Sequence, residues 1–392
     1  MSLGLSRLEQ QKKTKQRFLI EGAIIVALLI LTMVVLPLAI PAFRLKLMGR
    51  FLAMAIVALG IDLIWGYTGL LSLGHGIFFA LGGYAFAMYL NLQLPEDSIP
   101  EFFMLYGVEK LPLFWQPFSS LPFTLIAMVV IPGIVAGILG YLVFRNRIKG
   151  VYFSIITQAA LLVFFNFFNG QQELINGTNG LKTDTMTFLG RRVGEASTQL
   201  IFYEVTIACL LLTYLLCRWL TSGRFGRLLI AIRDDETRVR FTGYDPTWFK
   251  VVVFAISGAI AGISGALYTV QTGIITPNYM DVAFSIEMVI AVAVGGRATL
   301  SGAILGTILV NFARTYLGES FQEIWPFFQG ALFLIVVTVL PDGIVGWGRD
   351  VLWVKIRKWF GMDEVVTYPL IEEDPVVQSE KERIALSDQE NQ

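Results

Sequence analysis

The stretch LPFTLIAMVVIPGIVAGILGYLVF, residues 121–144, contains no Asp, Glu, Lys or Arg and is long enough to cross a lipid bilayer as one helix. Apolar stretches of roughly this length recur along the whole chain of 392 residues. We place ten of them, at Phe18–Ile40, Leu47–Trp65, Leu71–Leu92, Leu121–Phe144, Val151–Phe168, Leu200–Trp219, Val251–Val270, Phe284–Val294, Leu300–Tyr316 and Ile324–Leu340. The eighth is short and runs into Gly295-Gly296, so we expect a broken or tilted helix there. The pattern predicts an all-α integral membrane protein with about 10 transmembrane helices.

The composition agrees with a membrane protein and excludes several functions. Of all residues, 55% are hydrophobic and 15% are charged, whereas a soluble domain carries about 25% charged residues. The formal net charge is +0, which argues against a nucleic-acid partner. The chain has one histidine and no GxxxxGK[ST] loop, nucleophile elbow or cluster of metal ligands. We therefore expect no catalytic residue, metal or cofactor, and any ATP that drives the protein must be hydrolysed on another chain.

Basic residues indicate how the chain is oriented in the membrane. An even number of spans places both termini on one side, and the positive-inside rule makes the side richer in Lys and Arg cytoplasmic. The basic residues that share this side are Arg7, Lys12, Lys13, Lys15, Arg17, Arg145, Arg147, Lys149, Arg218, Arg224, Arg227, Arg233, Arg238, Arg240, Arg297, Lys355, Arg357 and Lys358. Arg44, Lys46 and Arg50 are an exception, because they would lie outside. The sequence thus predicts an N-in/C-in topology with one exception near the second span.

The chain divides into three segments by composition. Residues 1–17 form a basic cytoplasmic N-terminal arm, and residues 18–346 form the transmembrane domain. Residues 347–392 form a cytoplasmic tail that ends in a polar, acidic stretch without helical periodicity. We expect this tail to be largely disordered, because it cannot bury enough apolar surface to offset the entropy of ordering.

The cytoplasmic loop at about 221–250 reads TSGRFGRLLIAIRDDETRVRFTGYDPTWFK. Apolar residues recur there at helical spacing, at Phe225, Leu228, Leu229 and Ile232. Asp234, Asp235 and Glu236 can cap a second short helix, and Gly243 ends it before Asp245-Pro246. This pattern predicts two short amphipathic helices joined by a charged turn. Such a knob either fits the groove of a partner or lies flat at the lipid interface.

The segment GYTGLLSLGHGIFFALGGY, residues 66–84, links the second and third spans. Its many glycines let helices approach closely and let a helix break inside the protein. His75 and Ser72 lie among them. A lone intramembrane histidine either donates a hydrogen bond to a carbonyl of a neighbouring helix or contacts the solute or a gate. Asp62 is costly to bury alone, so we expect it to accept a structural hydrogen bond.

Neutral polar residues concentrate in the fifth span and just after it, in VYFSIITQAALLVFF at residues 151–165 and NGTNGLKT at residues 176–183. Such donors and acceptors suit an uncharged polar solute. Glu287 is an acid within the eighth span and serves either the solute path or packing. The residues that we assign to the translocation path are Ser72, His75, Gly76, Ser154, Thr157, Gln158, Asn179 and Glu287.

Five segments give the chain a family resemblance over nearly all of residues 45–346. They are GYTGLLSLGHGIFFALGGY, GVYFSIITQA, GRFGRLLIAIRDDETRVRFTGYDPTWFKVVVFAISGAIAGISGALY, VIAVAVGGRATLSGAILG and LPDGIVG. In these the chain resembles the permease subunits of branched-chain amino acid-type ABC importers. The form GVYFSIITQA, with NGLKT downstream, resembles the second, M-type permease of the urea-transporting branch.

The resemblance implies a fold, a site and partners. It implies an ABC importer permease fold, and it makes the loop at 221–250 the element that docks on the ATPase. The residues that it assigns to this coupling loop are Gly226, Arg233, Asp234, Asp235, Glu236 and Gly243. Val239-Arg240-Phe241-Thr242 stands where relatives have an alanine pair. The implied partners are a paralogous permease subunit, two ABC ATPase subunits and a periplasmic solute-binding protein, in a bacterial inner membrane among its lipids.

Urea is the solute that this resemblance implies, and two other functions stay open. One is an importer permease for branched-chain or other amino acids. The other is a stand-alone ion-coupled carrier or channel, which would carry more charged residues through its helix bundle.

Overall fold

The computed structural model describes residues 31–94, 98–148, 150–320, 325–339 and 343–348. The expected N-terminal arm, most of the first span and nearly all of the cytoplasmic tail lie outside these residues. The described part is mostly helical. Its α-helices are α1 (Leu36–Ala39, after a π-helical turn at Leu31–Val35), α2 (Ala42–Thr68), α3 (His75–Asn91), α4 (Glu101–Leu105), α5 (Leu121–Arg145), α6 (Val151–Gly170), α7 (Gln172–Ile175), α8 (Ala196–Ser222), α9 (Arg224–Phe241), α10 (Pro246–Thr272), α11 (Val282–Gly295), α12 (Leu300–Ser320), α13 (Trp325–Val339) and α14 (Gly343–Trp347).

Six of the described helices, α2, α5, α6, α8, α10 and α12, are long and apolar enough to cross a membrane. This agrees with a helical membrane protein, while the full number of ten spans stays a prediction. The expected short eighth element is α11, which has 14 residues. The third span needs a correction, because α3 begins at His75 and not at Leu71. The loop expected at about 221–250 is also shorter, since α8 runs to Ser222 and α10 starts at Pro246.

Helix α10 lies in the middle of the domain and packs against α2, α3 and α5. Its small residues make this possible. A Cβ atom at Gly262 would collide with the carbonyl oxygen of Met128 on α5, and one at Gly265 with that of Phe79 on α3. Close approach of this kind is how helices associate inside a membrane, where apolar side chains gain little by leaving lipid.

Two small antiparallel strand pairs lie at the end of the domain opposite α9. Strand β1 (Leu181–Lys182) pairs with β4 (Ile274–Ile275), and β2 (Thr187–Phe188) pairs with β3 (Arg191–Arg192). Short 3-10 turns occur at Gln116–Ser119, Gly177–Asn179 and Pro277–Met280. Because β1 and β4 are far apart in sequence, no local pattern could predict their pairing.

Arg50, one exception to the charge rule, has a structural role at this same end. Its Nε donates to the carbonyl of Gln271 at 3.0 Å and its Nη2 to that of Thr272 at 3.4 Å. These are among the last carbonyls of α10, which have no partner within the helix and lie at the negative end of its dipole. The fold therefore gives the Arg50 charge hydrogen-bond partners, and the orientation predicted from the other basic residues stays a prediction.

Candidate functional site

A break between α2 and α3, residues 69–74, brings together three of the predicted path residues. Helix α2 ends because Gly69 has a φ of +74°, a left-handed conformation that suits glycine. Backbone groups of the break find partners on α6 and within the break itself. Ser154 donates to the carbonyl of Leu71 at 2.6 Å, the amide of Leu73 donates to Thr157 Oγ1 at 3.1 Å, and the amide of Gly74 donates to Ser72 Oγ at 3.2 Å. Irregular backbone at membrane depth needs such partners.

His75, the first residue of α3, connects three helices. It is 1% exposed, and its Nε2 lies 2.7 Å from the hydroxyl of Ser257 on α10. Ser257 donates its only hydroxyl proton to the carbonyl of Gly60 on α2 at 2.5 Å, so Nε2 must be the donor to Ser257. The expected bond from the ring to a neighbouring helix is present, but its acceptor is a hydroxyl and not a carbonyl. The rings of Phe78 and Phe254 enclose the imidazole edge to face.

The other neutral path residues contact different elements. The amide of Gly76 donates to Ser285 Oγ on α11 at 3.3 Å. Gln158 is half-buried on α6. Asn179 is exposed on the 3-10 turn after α7 and donates to the Tyr106 hydroxyl at 3.5 Å. A role of these residues in solute passage stays a prediction.

Glu287 on α11 forms an ion pair that the sequence did not reveal. Nη1 of Arg314 on α12 lies 2.6 and 2.7 Å from the two carboxylate oxygens. The Glu287 side chain is 6% exposed, while that of Arg314 is 45% exposed. The Arg297 guanidinium lies 5.2 Å from the centre of the Trp65 ring. The sequence did contain one sign of this pair, because Arg314 is a basic residue inside the ninth apolar stretch.

The position of Arg314 on its helix places it on the face of α12 that is buried in the bundle. It follows Ala303, Thr307 and Val310 at helical spacing, and all three are buried. The face of α12 that carries Leu305 is exposed and points the other way. Arg314 therefore points into the helix bundle and is nevertheless half accessible. A charged side chain at membrane depth that faces the bundle is a functional candidate.

Helix α9 has the predicted charged turn in its middle. Asp235 is the one non-helical residue, with φ −155° and ψ 96°, and it splits α9 into two parts. Its Oδ1 accepts from the amides of Thr237 at 2.9 Å and Arg238 at 3.2 Å, which caps the second part. Of the three acids expected to cap, Asp235 does so, while Asp234 lies 3.3 Å from Arg233. Gly243, with φ +87°, follows the end of α9.

Glu236 anchors the second part of α9 to α10. Its Oε1 lies 2.8 Å from Arg240 Nη2 and 3.1 Å from Lys250 Nζ on α10. Lys250 is 1% exposed, and its Nζ also lies 5.1 Å from the centre of the Phe144 ring on α5. Sequence reasoning missed the role of Lys250. A lysine one turn inside an apolar helix was the available sign of a buried charge pair. This buried charge pair fixes α9 to the ends of α5 and α10.

Arg233 joins α9 to the start of the helix break. Its Nη1 donates to the carbonyl of Gly66 on α2 at 2.9 Å. Its aliphatic part lies over Gly69, where a Cβ atom would come within 3.0 Å of Arg233 Cγ. Helix α9 is therefore in direct contact with the residues where α2 ends.

The turn between α11 and α12 meets the same end of α2. The amide of Ala298 donates to Asp62 Oδ1 at 2.7 Å, so Asp62 accepts the structural hydrogen bond that we expected. A Cβ atom at Gly66 would collide with the Ala298 amide, so glycine permits this contact. The last two turns of α2 thus receive contacts from α9 and from the turn that precedes α12.

Comparison with known proteins identifies one family and several relatives. The family described as "Branched-chain amino acid transport system / permease component" matches residues 43–337. The permease protein LivM of a high-affinity branched-chain amino acid transport system of Salmonella typhimurium is 26% identical, over 76% of this chain and 69% of LivM. A probable LivM of Methanocaldococcus jannaschii is 25% identical, over 74% and 89%. The permease LivH of Escherichia coli is 22% identical, over 74% and 91%. No solved structure matches.

Proposed function

Because this chain belongs to the family of permease components of branched-chain amino acid-type ABC transporters, we propose that it forms half of a solute path and that its ATPase acts on it through α9. The chain is a multi-pass membrane permease of a bacterial ABC transporter and is not itself an enzyme. The family implies a partner permease, ATPases and a solute-binding protein. We infer that α9 faces the cell interior, that both termini lie there too, and that the chain crosses the membrane ten times.

The contact between Arg233 and the Gly66 carbonyl is the observation that carries this proposal. When the ATPase subunits close, a force on α9 reaches the end of α2 through this hydrogen bond. It continues into the helix break and, through His75 and Ser257, into α3 and α10. The buried Glu236–Lys250 pair keeps the second part of α9 fixed to α10, so α9 transmits movement and does not simply bend.

The apolar surface near the end of α9 supports a docked partner. Phe241 is 87% exposed and Tyr244 is 53% exposed. Exposed aromatic residues next to a charged helix are typical of a surface that a partner protein covers. Gly226, Leu229 and Ile232 on α9 are buried within the chain, so the free side of this helix is the side that carries Asp234 and Arg238.

Cysteine labelling in intact cells tests the orientation. Thr237 is exposed on α9, and Thr185 is exposed at the opposite end of the domain. In a Cys209→Ala/Cys217→Ala background, we expect a membrane-impermeant thiol reagent to label Thr185→Cys in intact cells and Thr237→Cys only after permeabilisation. Labelling of Thr237→Cys in intact cells would overturn the topology and, with it, the role of α9.

The named relatives support a branched-chain amino acid as the solute. Both LivM and LivH are described as branched-chain amino acid permeases. The Glu287–Arg314 pair offers both signs of charge that a zwitterion needs, with the Arg314 side chain 45% exposed. We infer that a solute carboxylate would approach Arg314 on its exposed side, and that the pair is part of the solute path.

Urea is a second candidate solute, supported by the resemblance of GVYFSIITQA and NGLKT to the urea-transporting branch and by the neutral polar residues of α6. Uptake of labelled leucine and labelled urea, each by a deletion strain that expresses this chain with its partner subunits, separates the two. Leucine uptake that falls in Glu287→Gln, with urea uptake absent throughout, would support the amino acid. Urea uptake that depends on this chain, without leucine uptake, would support urea.

A further inference from the structure

A cavity of about 550 Å³ lies where α5 ends and α10 begins. Three arginines and three aromatic residues form most of its wall, namely Arg145, Arg147, Arg240, Tyr141, Tyr244 and Trp248. Because α5 and α10 are both candidate spans, their ends lie where a membrane passes from hydrocarbon to headgroups. We call this feature the arginine cavity.

The arginine cavity carries excess positive charge. Among the described residues, neither Arg145 nor Arg147 has a carboxylate partner, and both are exposed. Arg240 shares Glu236 with Lys250. The one acid in the wall, Asp245, caps α10 by accepting from the amide of Thr247 at 3.0 Å. At least two guanidinium groups are thus available for an anion.

Aromatic residues hold the Arg145 guanidinium at the end of α5. Arg145 donates to the Tyr141 hydroxyl at 3.2 Å and lies 5.6 Å from the centre of that ring. The Tyr141 and Trp248 rings lie 5.5 Å apart, and Trp248 is 57% exposed. Tyrosine and tryptophan prefer this level of a membrane, because one side of the ring is apolar and the other can reach water.

An apolar stripe on α5 leads from the arginine cavity into the membrane. Ile134, Ile138 and Leu142 are 55%, 57% and 58% exposed, and they lie on the same helical face as Arg145. A free phosphate or a nucleotide would make no use of this stripe. Lipid acyl chains would pack along it while the phosphate rests on the arginines.

We propose that the arginine cavity binds the phosphate headgroup of an anionic phospholipid, with its acyl chains along α5. Basic pockets between membrane helices on the cytoplasmic side are suited to such headgroups. Arg240 and Tyr244 belong to the end of α9 and the turn that follows it, so a bound lipid joins this region to α5. If α9 couples ATP hydrolysis to transport, as proposed above, an anionic lipid at this position also supports coupling.

Lipid retention by the purified transporter complex tests the binding. We expect native mass spectrometry to show that the complex retains phosphatidylglycerol in preference to phosphatidylcholine. This preference should be about thirty-fold lower in Arg145→Gln/Arg147→Gln. Each arginine near the membrane surface attracts an anionic lipid by about 1 kcal/mol, and the loss of about 2 kcal/mol corresponds to a factor of about thirty. The matched control is Arg191→Gln/Arg192→Gln, which removes the same charge from β3 at the opposite end and should retain lipid as the native chain does. Arg147→Gln alone is the second variant, should the double variant fail to fold.

Three results would overturn the proposal. The first is equal loss of phosphatidylglycerol in the arginine-cavity variant and its control. The second is displacement of the bound lipid by inorganic phosphate, which would make the cavity a site for a free anion. The third is loss of the ATPase subunits with lipid retention unchanged, which would make it a protein interface. Because retention is measured without ATP or solute, it is independent of whether the proposed coupling role of α9 holds.

Discussion

Helices α9 and α10 are neighbours in sequence, yet they are held in place by different forces. The middle of helix α10 is fixed by close backbone contacts at glycines and by neutral hydrogen bonds such as that from Ser257 to Gly60. Helix α9 is fixed by charge, through the Glu236–Lys250 pair and the bond from Arg233 to Gly66. Neutral contacts between small residues suit a helix surrounded by other helices, because they leave no charge to desolvate. A few charged contacts suit α9, which must stay attached to the domain and still move when its proposed ATPase partner moves.

This comparison predicts its largest effect at Glu236. Glu236→Ala leaves Lys250, which is 1% exposed, without its carboxylate, so we expect a loss of about 3–5 kcal/mol in the free energy of unfolding. Thermal unfolding in detergent measures it. Adding Lys250→Met should recover most of the loss, because it removes the uncompensated charge. No recovery in the double variant would show that Glu236 acts otherwise than through Lys250.

The next effect is expected in α10, at Gly265. In Gly265→Val the new side chain meets the Phe79 carbonyl, so α3 and α10 must separate at a cost of about 1–3 kcal/mol. The yield of monodisperse protein and its unfolding temperature report this. Gly170→Val is the control, since nothing lies within 4 Å of a Cβ atom at Gly170. Equal behaviour of the two variants would mean that α10 does not depend on close packing at this point.

The cap in the middle of α9 should have a smaller effect. Asp235→Ala removes the acceptor for the Thr237 and Arg238 amides, which should cost about 1 kcal/mol. Asp235→Asn keeps an acceptor oxygen and should lose less. The unfolding temperatures of both variants, measured side by side, decide whether the carboxylate acts as a cap. If Asn and Ala are equally destabilising, the hydrogen bonds are not what shapes this turn.

The smallest effect on stability, and the sharpest on function, is expected at Arg233. Its side chain is 37% exposed, so losing the bond to Gly66 in Arg233→Gln should cost less than about 1 kcal/mol. Solute-stimulated ATP hydrolysis of the assembled complex should continue while uptake falls. The control is Arg191→Gln, because Arg191 is an exposed arginine on β3, at the end of the domain opposite α9. Uptake that falls equally in both variants would remove the special role of Arg233.

The sequence predicted the apolar helices well, because apolar character is a property of the segment itself. The predicted stretches Leu121–Phe144 and Val151–Phe168 compare with helices Leu121–Arg145 and Val151–Gly170. Prediction was weaker at the break before α3. Glycines indicated that a break was present, but α3 starts four residues later than expected at Leu71, since Ser154 and Thr157 on α6 hold the break open.

What the sequence determined alone is the membrane character of the chain, the glycine-rich break before α3 and the acidic turn inside α9, because each depends on residues close together in the chain. What only the tertiary structure decided is which partner each charged side chain meets. Arg233 and Gly66 are 167 residues apart, and Glu287 finds Arg314 at a separation of 27 residues. A buried charge is stable only beside its partner, and its partner is set by how helices pack and not by the order of residues.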